Sequence, residues 1–300
     1  MLFLRCTMLR PCSRHTLRLW CAFAMFLAFP GLTFSQLTFK TLTENAIADR
    51  LRQYGGSDAE REARLKHMFA ESGCPTEKLT EQVVSSKYPP NVICVFPGQT
   101  DDVILVGAHF DHVKEGDGVV DNWSGASLLP SFLVTLKTEP RHHTFVLVSF
   151  TGEEAGLVGS EFYAKHLSAE ERSHIKAMIN LDTLGLGPTE VWATHSDPML
   201  SGSLNGVAHA MKVPLTAMNV DNVGSTDSES FAPYKIPHMT VHSVTPKTWS
   251  ILHSRHDQFS AIHLDDYYST YRLLSAYLVN LDRYLAQAPA NAAPSTQSTK

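Results

Sequence analysis

Histidine and carboxylate side chains stand at the ends of apolar segments in the middle of this chain. The run Val103 to Ala108 leads into His109-Phe110-Asp111-His112. On a strand, His109 and Asp111 project to the same side, because side chains alternate with a period of two. A carboxylate that accepts the second ring N–H of an imidazole orients the ring for a metal ion and raises its basicity. The pair therefore suits metal binding, although a histidine at a strand end is more often only hydrogen-bonded.

Acidic residues stand at three further positions, each after an apolar run or before a helix. Glu153-Glu154 comes after the apolar run Thr144 to Phe150, and two adjacent acids there can bind a metal and move protons, respectively. Asp182 closes another apolar run, where an unpaired carboxylate is costly unless a cation meets it. Asp121 precedes a helix and could equally be a helix cap. Acids at 153 and 154 could likewise only favour the positive end of a helix dipole.

The last candidates lie in the polar loop Leu252-His253-Ser254-Arg255-His256-Asp257, where either histidine could face a metal. Each of these positions has an ordinary explanation when taken alone. Together they all fall at strand ends or loops on one predicted edge, which is where a layered α/β protein builds its sites. A shared site explains them better than coincidence does.

The elements that must position these residues are short apolar runs alternating with helical stretches. Strands are predicted at Asn91 to Phe96, Val103 to Ala108, Thr144 to Phe150, Ile175 to Leu181, Val191 to Ala193 and His238 to His242. Helices are predicted within 42–72, with Asp58 as a cap, and at Ser124 to Leu136, Ala155 to His166, Pro198 to Met211 and Leu264 to Leu285. Continuously apolar strands are buried on both faces. The alternation predicts an α/β layered fold with a largely parallel central sheet.

Composition excludes several classes of protein. The chain has 300 residues, of which 43% are hydrophobic, and this much apolar surface excludes intrinsic disorder. No internal repeat is present, and one large domain over 36–286 fits the length. Residues 287–300, rich in Ala, Pro, Ser and Thr, are predicted to be a disordered tail.

The N-terminal segment 1–35 is typical of a secretory signal peptide. Four arginines and no acid accompany the apolar run Leu19 to Phe29, which is shorter than the roughly 18 residues of a membrane span. An uncleaved anchor is the alternative. Cleavage would leave 21 basic against 30 acidic residues, a net charge near −9. We therefore expect a secreted or periplasmic protein with an acidic surface, with neither nucleic acid nor, after cleavage, a membrane as its partner.

Cysteine usage agrees with that compartment. Three of the five cysteines lie in the predicted leader, and Cys74 and Cys94 remain. An even pair in an oxidising compartment is a disulfide candidate, with two buried thiols as the alternative.

The motifs in their order resemble those of the zinc-dependent exopeptidases of the M28 type, which include secreted bacterial aminopeptidases. The resemblance covers roughly residues 85 to 285. It is carried by Gly107-Ala108-His109-Phe110-Asp111, Asp121-Asn122-Trp123-Ser124-Gly125, Thr151-Gly152-Glu153-Glu154-Ala155-Gly156-Leu157, Asn180-Leu181-Asp182 and His253-Ser254-Arg255-His256-Asp257.

The resemblance implies a three-layer α/β fold, with a central, largely parallel mixed sheet between helices, and an aminopeptidase acting on peptides with two zinc ions. One zinc would be held by His109 and Asp182 and the other by Glu154 and His253, with Asp121 bridging them. Glu153 would be the general base, and Asp111 and Asp257 would orient ligands. His253 is preferred to His256 because the last ligand of the family lies four residues before an aspartate. The segment Ser225 to Phe231 departs from the family at Ser228, where histidine is often found, and this puts substrate contacts in doubt.

Other functions remain as alternatives. A glutaminyl cyclase belongs to a related fold group and uses a single zinc, but the complete set of motifs looks more like the peptidases. A carboxypeptidase would need a cation such as Arg255 for the substrate carboxylate. A binding module without metals should lack ligands, yet all five are present. Neither the G-x-S-x-G of a serine hydrolase nor a P-loop motif occurs.

Overall fold

An eight-stranded mixed sheet is the frame of the molecule in the computed structural model, which describes residues 39–221 and 224–287. Its strands lie side by side in the order β1-β2-β4-β3-β5-β8-β6-β7. Their bounds are β1 Leu79–Gln82, β2 Asn91–Phe96, β3 Val103–His109, β4 Thr144–Phe150, β5 Ile175–Leu181, β6 Thr189–Val191, β7 Leu215–Ala217 and β8 His238–His242.

The centre of the sheet is parallel. Strand β3 pairs in parallel with β4 and β5, and β5 with β8, whereas β2 and β6 join antiparallel to β4 and β8. The predicted mixed, largely parallel sheet is confirmed. Because β3, β4 and β5 run in one direction, their carboxyl ends meet at one edge, where α/β proteins place their ligands.

Helices cover both faces of the sheet. Their bounds are α1 Glu44–Leu51, α2 Asp58–Ser72, α3 Ser124–Ala126, α4 Leu129–Leu136, α5 Val158–His166, α6 Ala169–His174, α7 Pro198–Met211 and α8 Leu264–Gln287. Alternate residues of β3 enter two separate cores. Ile104 and Val106 pack with residues of α2, α4 and α8, whereas Leu105 packs with residues of α5 on the other face. This alternation produces the predicted three layers.

Local differences from the sequence prediction have local causes. The helix expected from Ser124 is preceded by a buried, irregular turn, Val119–Trp123, and is interrupted between α3 and α4. Helix α5 begins three residues later than expected, and α2 is capped by Ser57 in a capping box with Glu60. Strands β1 and β7 were not predicted, because short edge strands with polar residues lack a continuous apolar run.

Cys74 and Cys94 form a disulfide with a Cα–Cα distance of 6.1 Å, which ties the end of α2 to β2. The predicted signal peptide lies outside the described residues, as does the predicted tail from residue 288 onward, while Gln287 itself belongs to α8. Among the described residues, every helix is too short or too polar to traverse a bilayer.

Candidate metal centre

Three neighbouring strands end at the site and position one histidine and three of the acids. His109 ends β3, Glu153 and Glu154 follow β4, and Asp182 follows β5. The remaining two predicted ligands come from loops: Asp121 from the buried turn before α3, and His253 from the segment before α8. All five predicted ligands and Glu153 line one cavity.

Asp121 lies between the two histidines. Its Oδ1 is 3.2 Å from His109 Nε2 and its Oδ2 is 3.3 Å from His253 Nε2. His253 Nε2 is 2.9 Å from Glu154 Oε2, and His109 Nε2 is 3.7 Å from Asp182 Oδ1. Ligand atoms of His109, Asp121 and Glu154 all lie within 4.8 Å of one another. Each oxygen of Asp121 thus faces a different histidine, and each of these histidines also lies near a second acid.

Glu153 stands beside this group without joining it as closely. Its Oε2 lies 3.9 Å from His109 Nε2. Burial raises the pKa of Glu153 to about 10, and the nearby carboxylates of Asp227, Asp182 and Asp121 add to the rise while His109 opposes it. Among the protein groups alone, this side chain therefore holds a proton at neutral pH.

The pKa values of the two histidines are raised as well, in their case by the acids that face them. Asp121 and Glu154 raise the pKa of His253 to about 10. Burial would lower the pKa of His109, but Glu153 and the other acids around it raise it well above its usual value. Burial by itself would raise the pKa of Asp121, yet the two imidazoles hold that pKa well below its ordinary range. The site thus attracts positive charge strongly.

The donors fit zinc in kind and in their unmet bonding capacity. Two imidazole nitrogens with carboxylate oxygens form a mixed donor set that suits Zn²⁺. Glu154 Oε1 is buried and has no hydrogen-bond partner among the residues that the structure describes. A buried oxygen without a partner is costly, and a cation between these side chains would satisfy it.

Asp111 and Asp257 hold the backbone that carries the site. The two carboxylate oxygens of Asp111 accept the amide N–H groups of Glu153 and Glu154 at 3.1 and 3.2 Å. The carboxylate of Asp257 accepts the N–H groups of Val120 and Asp121 at 2.7 and 3.1 Å.

Asp111 also fixes the direction in which the histidine at the end of β3 points. His109 Nδ1 lies 3.3 Å from the backbone oxygen of Asp111 and 3.7 Å from its carboxylate, so Nδ1 is the donor. This leaves Nε2 directed at Asp121 and Asp182.

Asn122, which sequence reasoning did not single out, locks the Asp121 turn to the end of β5. Its Nδ2 donates to the Leu181 carbonyl at 2.8 Å, and its Oδ1 accepts the N–H groups of Gly125 and Thr183 at 3.0 and 3.1 Å. A Cβ at Gly125 would lie 2.6 Å from both Asn122 Oδ1 and the Leu181 oxygen, so only glycine fits there. The position of Asn122 directly after Asp121 was the feature of the sequence that could have identified it.

The segment after Ser225 holds the carboxylate of Asp182 by a hydrogen bond. Thr226 Oγ1 donates to Asp182 Oδ2 at 2.7 Å and accepts from Asn180 Nδ2 at 2.7 Å. Ser228, which departs from the expected histidine, is buried and bonds to Thr240 at 2.8 Å. Ser228 therefore contributes to packing and does not line the cavity.

Asp227, in the same segment, was missed by sequence reasoning. It is fully buried, and neither of its carboxylate oxygens has a partner among the described residues. Burial raises its pKa to about 7. Nothing in the local pattern of residues distinguished it from an exposed loop acid.

The cavity at these ligands measures about 470 Å³, and its lining has an acidic and an apolar part. The ligands and Glu153 contribute the acidic part. Trp192, Val220, Val244, Trp249 and Leu252 contribute the apolar part. Arg255 is exposed and does not line this cavity, and Trp123, another residue near the predicted edge, is buried in the core.

Histidines and acids gathered at the carboxyl edge of a parallel-centred sheet define an α/β protein with a candidate zinc centre. The chain belongs to peptidase family M28, whose model matches residues 91–278.

Known proteins similar to this chain include aminopeptidases and glutaminyl cyclases. Aminopeptidase YwaD of Bacillus subtilis (strain 168) is 29% identical over 164 residues, which are 52% of this chain and 34% of that protein. The chain thus spans about a third of the length of that relative.

Solved structures show the same fold. A zinc aminopeptidase from Bacillus subtilis matches with a TM-score of 0.59 and 24% identity, covering 64% of this chain and 50% of the other. A glutaminyl cyclase from an Acidobacteriales bacterium matches with a TM-score of 0.68 and 19% identity, covering 82% of this chain and 98% of the other.

Proposed function

We propose that this chain is a secreted or periplasmic aminopeptidase with two zinc ions, which hydrolyses the peptide bond after a free N-terminal residue. The observation that carries the proposal is the position of Asp121, whose two oxygens face His109 and His253 at 3.2 and 3.3 Å. His109 and Asp182 would hold one ion, and Glu154 and His253 the other, with Asp121 shared between them.

The chemistry divides between the ions and the protein. Bound zinc would supply a Lewis acid for the scissile carbonyl and a water of lowered pKa. Glu153 accepts the proton of the attacking water as the C–O bond forms, and it delivers that proton to the nitrogen as the C–N bond breaks. The bonds from Asp111 to the amides of Glu153 and Glu154 hold these two acids in their separate roles.

The side chains of the cavity lining favour a substrate with a free amine over one with a free carboxylate. The described lining contains four carboxylates, from Asp121, Glu153, Glu154 and Asp182, and neither lysine nor arginine. Two bound zinc ions would balance the charge of these carboxylates, so no side-chain cation remains to pair with the substrate carboxylate that a carboxypeptidase must recognise.

The proposed location rests on the N-terminal segment and on the Cys74–Cys94 disulfide, since stable disulfides are typical of oxidising compartments. N-terminal sequencing of the protein recovered from periplasm or medium tests this proposal. We expect a new N-terminus near residue 36, and recovery of the uncleaved chain in the membrane fraction would contradict it.

The test of the activity combines metal analysis with a panel of amino-acid amides and short peptides with free or capped amines. We expect close to two zinc ions per chain and cleavage of free amines only. Glu153→Gln should keep its zinc and lose about 10²- to 10⁴-fold in kcat. Glu161→Gln, an exposed acid on α5, is the matched control and should behave as wild type. A Glu153→Gln protein with its zinc and its full rate would overturn the role of Glu153.

A glutaminyl cyclase is the second candidate, because one such enzyme is covered over 98% of its length. At 19% identity that likeness concerns the fold alone. Ammonia release from glutaminyl peptides without peptide cleavage, at one zinc per chain, would favour the cyclase. A preference for peptides with a free C-terminus and a capped N-terminus would instead favour a carboxypeptidase.

A further inference from the structure

The apolar part of the cavity lining includes a buried indole whose N–H is bound by one exposed acid. Trp192 follows β6, is only 4% exposed, and lines the cavity. Its Nε1 donates to Asp221 Oδ1 at 2.9 Å. The indole therefore cannot rotate in its pocket without losing the partner of its only polar atom.

The same oxygen of Asp221 also contacts two further residues of the turn 192–195. Thr194 Oγ1 donates to Asp221 Oδ1 at 2.7 Å, and His195 Nε2 lies 3.2 Å from it. The ring of His195 packs against that of Trp192 with a centroid distance of 4.7 Å. One carboxylate thus joins the turn 192–195 to the segment around Val220, and each of these segments contributes one residue to the cavity lining, Trp192 and Val220.

A second ring completes the apolar surface. His242 Nδ1 accepts the N–H of Val244 at 3.1 Å, so its Nε2 carries the proton and donates to the Met218 carbonyl at 3.1 Å. Burial lowers the pKa of His242 to about 4. Both nitrogens are therefore occupied, and this neutral ring adds carbon surface next to Trp192, at a centroid distance of 6.5 Å.

We propose that Asp221 is a positioning residue for substrate selection. By fixing Trp192 against His242, Asp221 shapes the part of the cavity that contacts a bulky apolar side chain on the N-terminal residue of the substrate. The inference rests on the proposed aminopeptidase function and assigns to Asp221 an effect on which side chain is preferred. Asp221 itself does not line the cavity, so its effect on substrate passes through Trp192.

The test compares phenylalaninamide with alaninamide as substrates. In Asp221→Ala we expect the ratio of their kcat/KM values to fall about tenfold, the size of a modest loss of apolar contact. The loss should appear in KM for phenylalaninamide, because binding in this pocket is the same before and during the reaction. Asp221→Asn keeps a carbonyl oxygen for the indole N–H and should restore most of the ratio. Asp101→Ala, in the exposed turn before β3, is the control and should leave the ratio unchanged.

A double-mutant cycle separates this role from general destabilisation. Trp192→Phe removes the indole donor, and in that background Asp221→Ala should change the ratio by less than about twofold. An unchanged ratio in Asp221→Ala, with both substrates slowed equally, would overturn the proposal. So would a fall in the ratio that is as large in the Trp192→Phe background.

Binding distinguishes failure of this inference from failure of the proposed function. Calorimetric affinities of the two amides for zinc-loaded Glu153→Gln protein, with and without Asp221→Ala, measure selection without turnover. A tenfold loss of preference on this substitution supports the inference even if the wild-type protein hydrolyses neither amide. Equal affinities of the two amides before the substitution would overturn it.

Discussion

Two buried clusters of histidine and carboxylate lie at opposite edges of the same sheet. In the first, which we call the complete cluster, both carboxylate oxygens have hydrogen-bond partners, whereas the second contains oxygens without partners among the described residues. At the amino end of β4, the carboxylate of Asp282 accepts the N–H groups of His142 and His143 at 2.9 and 2.8 Å. It also lies 2.9 Å from His143 Nδ1. Three donors thus serve this one acid from α8, and the cluster requires nothing further.

At the candidate metal centre on the carboxyl edge, carboxylates outnumber the groups that could pair with them. Its five carboxylates, those of Asp121, Glu153, Glu154, Asp182 and Asp227, outnumber the two imidazoles that face them. Oxygens of Glu154 and Asp227 are buried without partners among the described residues. The fold satisfies a buried carboxylate at Asp282 but leaves these oxygens unsatisfied, and a bound cation would offset the cost at Glu154, which is a proposed ligand.

The pKa directions of Asp282 and Glu153 express the same contrast, whereas Asp121, which faces two imidazoles, has a lowered pKa like that of Asp282. Burial would raise the pKa of Asp282, but the bonds from His143 and His142 lower it below its usual range. At the centre, burial and neighbouring acids raise the pKa of Glu153 to about 10. A lowered pKa marks a carboxylate whose charge stabilises the fold, whereas a raised one marks a charge that the protein alone does not support.

The largest effect should come from Asp121→Asn, which removes the shared carboxylate. The two proposed ions would need that negative charge between them, so we expect zinc per chain to fall below one and activity to fall by about 10³-fold or more. Elemental analysis and kcat/KM for a free-amine amide measure both. Asp282→Asn is the matched variant at the complete cluster and should keep wild-type zinc content. Equal zinc loss in both variants would contradict the comparison.

A smaller effect is expected from Asp257→Asn, which changes a support of the centre and spares its ligands. The amide offers only one acceptor oxygen where Val120 and Asp121 now donate two N–H groups. Zinc affinity should fall about 10- to 100-fold, as it does when groups that orient ligands are changed. Competition with a chelating dye measures the affinity. An affinity equal to that of the wild type would show that Asp121 is held without Asp257.

The sequence predicted the edge at which the centre lies better than it predicted the supports of that centre. The bounds of β2, β4, β5 and β8 agree with the structure. For β2 and β4 the reason is an apolar run that ends abruptly at turn residues. Since the central strands are parallel, the residues that follow them had to meet. The division of ligands between two ions came only from the family resemblance, because each residue alone had an ordinary alternative.

Asp227 and Asp221 could not be found in the same way. Both lie in or near an irregular segment, where no periodicity shows which side chains are buried. The significance of Asp221 depends on Trp192, a residue 29 positions away whose indole reaches it only in the folded chain. Such contacts are set by tertiary packing, and single-sequence patterns do not encode them.

We expect substitution of Asp282 in the complete cluster to lower the free energy of unfolding, and substitution of Glu153 at the centre to leave it nearly unchanged. Asp282→Asn replaces one of the two acceptor oxygens by an NH2 group, so at least one of the three donors from His142 and His143 loses its acceptor. We therefore expect the free energy of unfolding to fall by about 1–3 kcal/mol. Glu153→Gln in the zinc-free protein should change it by less than about 0.5 kcal/mol at pH 7, because the glutamine replaces a carboxyl that is already protonated. Urea unfolding of both variants after chelation measures these values. A larger loss in Glu153→Gln would reverse the comparison.

The smallest effect concerns acid pH and isolates the charge of Asp282. Because its folded pKa is depressed, the carboxylate contributes stability that is present above the unfolded pKa of aspartate and is lost as the pH falls through the folded value. Asp282→Asn should therefore flatten the acid limb of a stability profile, by at most about 1.4 kcal/mol per pH unit. Asp101→Asn, an exposed aspartate in the turn before β3, should leave the limb as it is in the wild type. If Asp282→Asn kept the full slope, the charge of this acid would not be what its three donors stabilise, and the difference between the two clusters would lie in geometry alone.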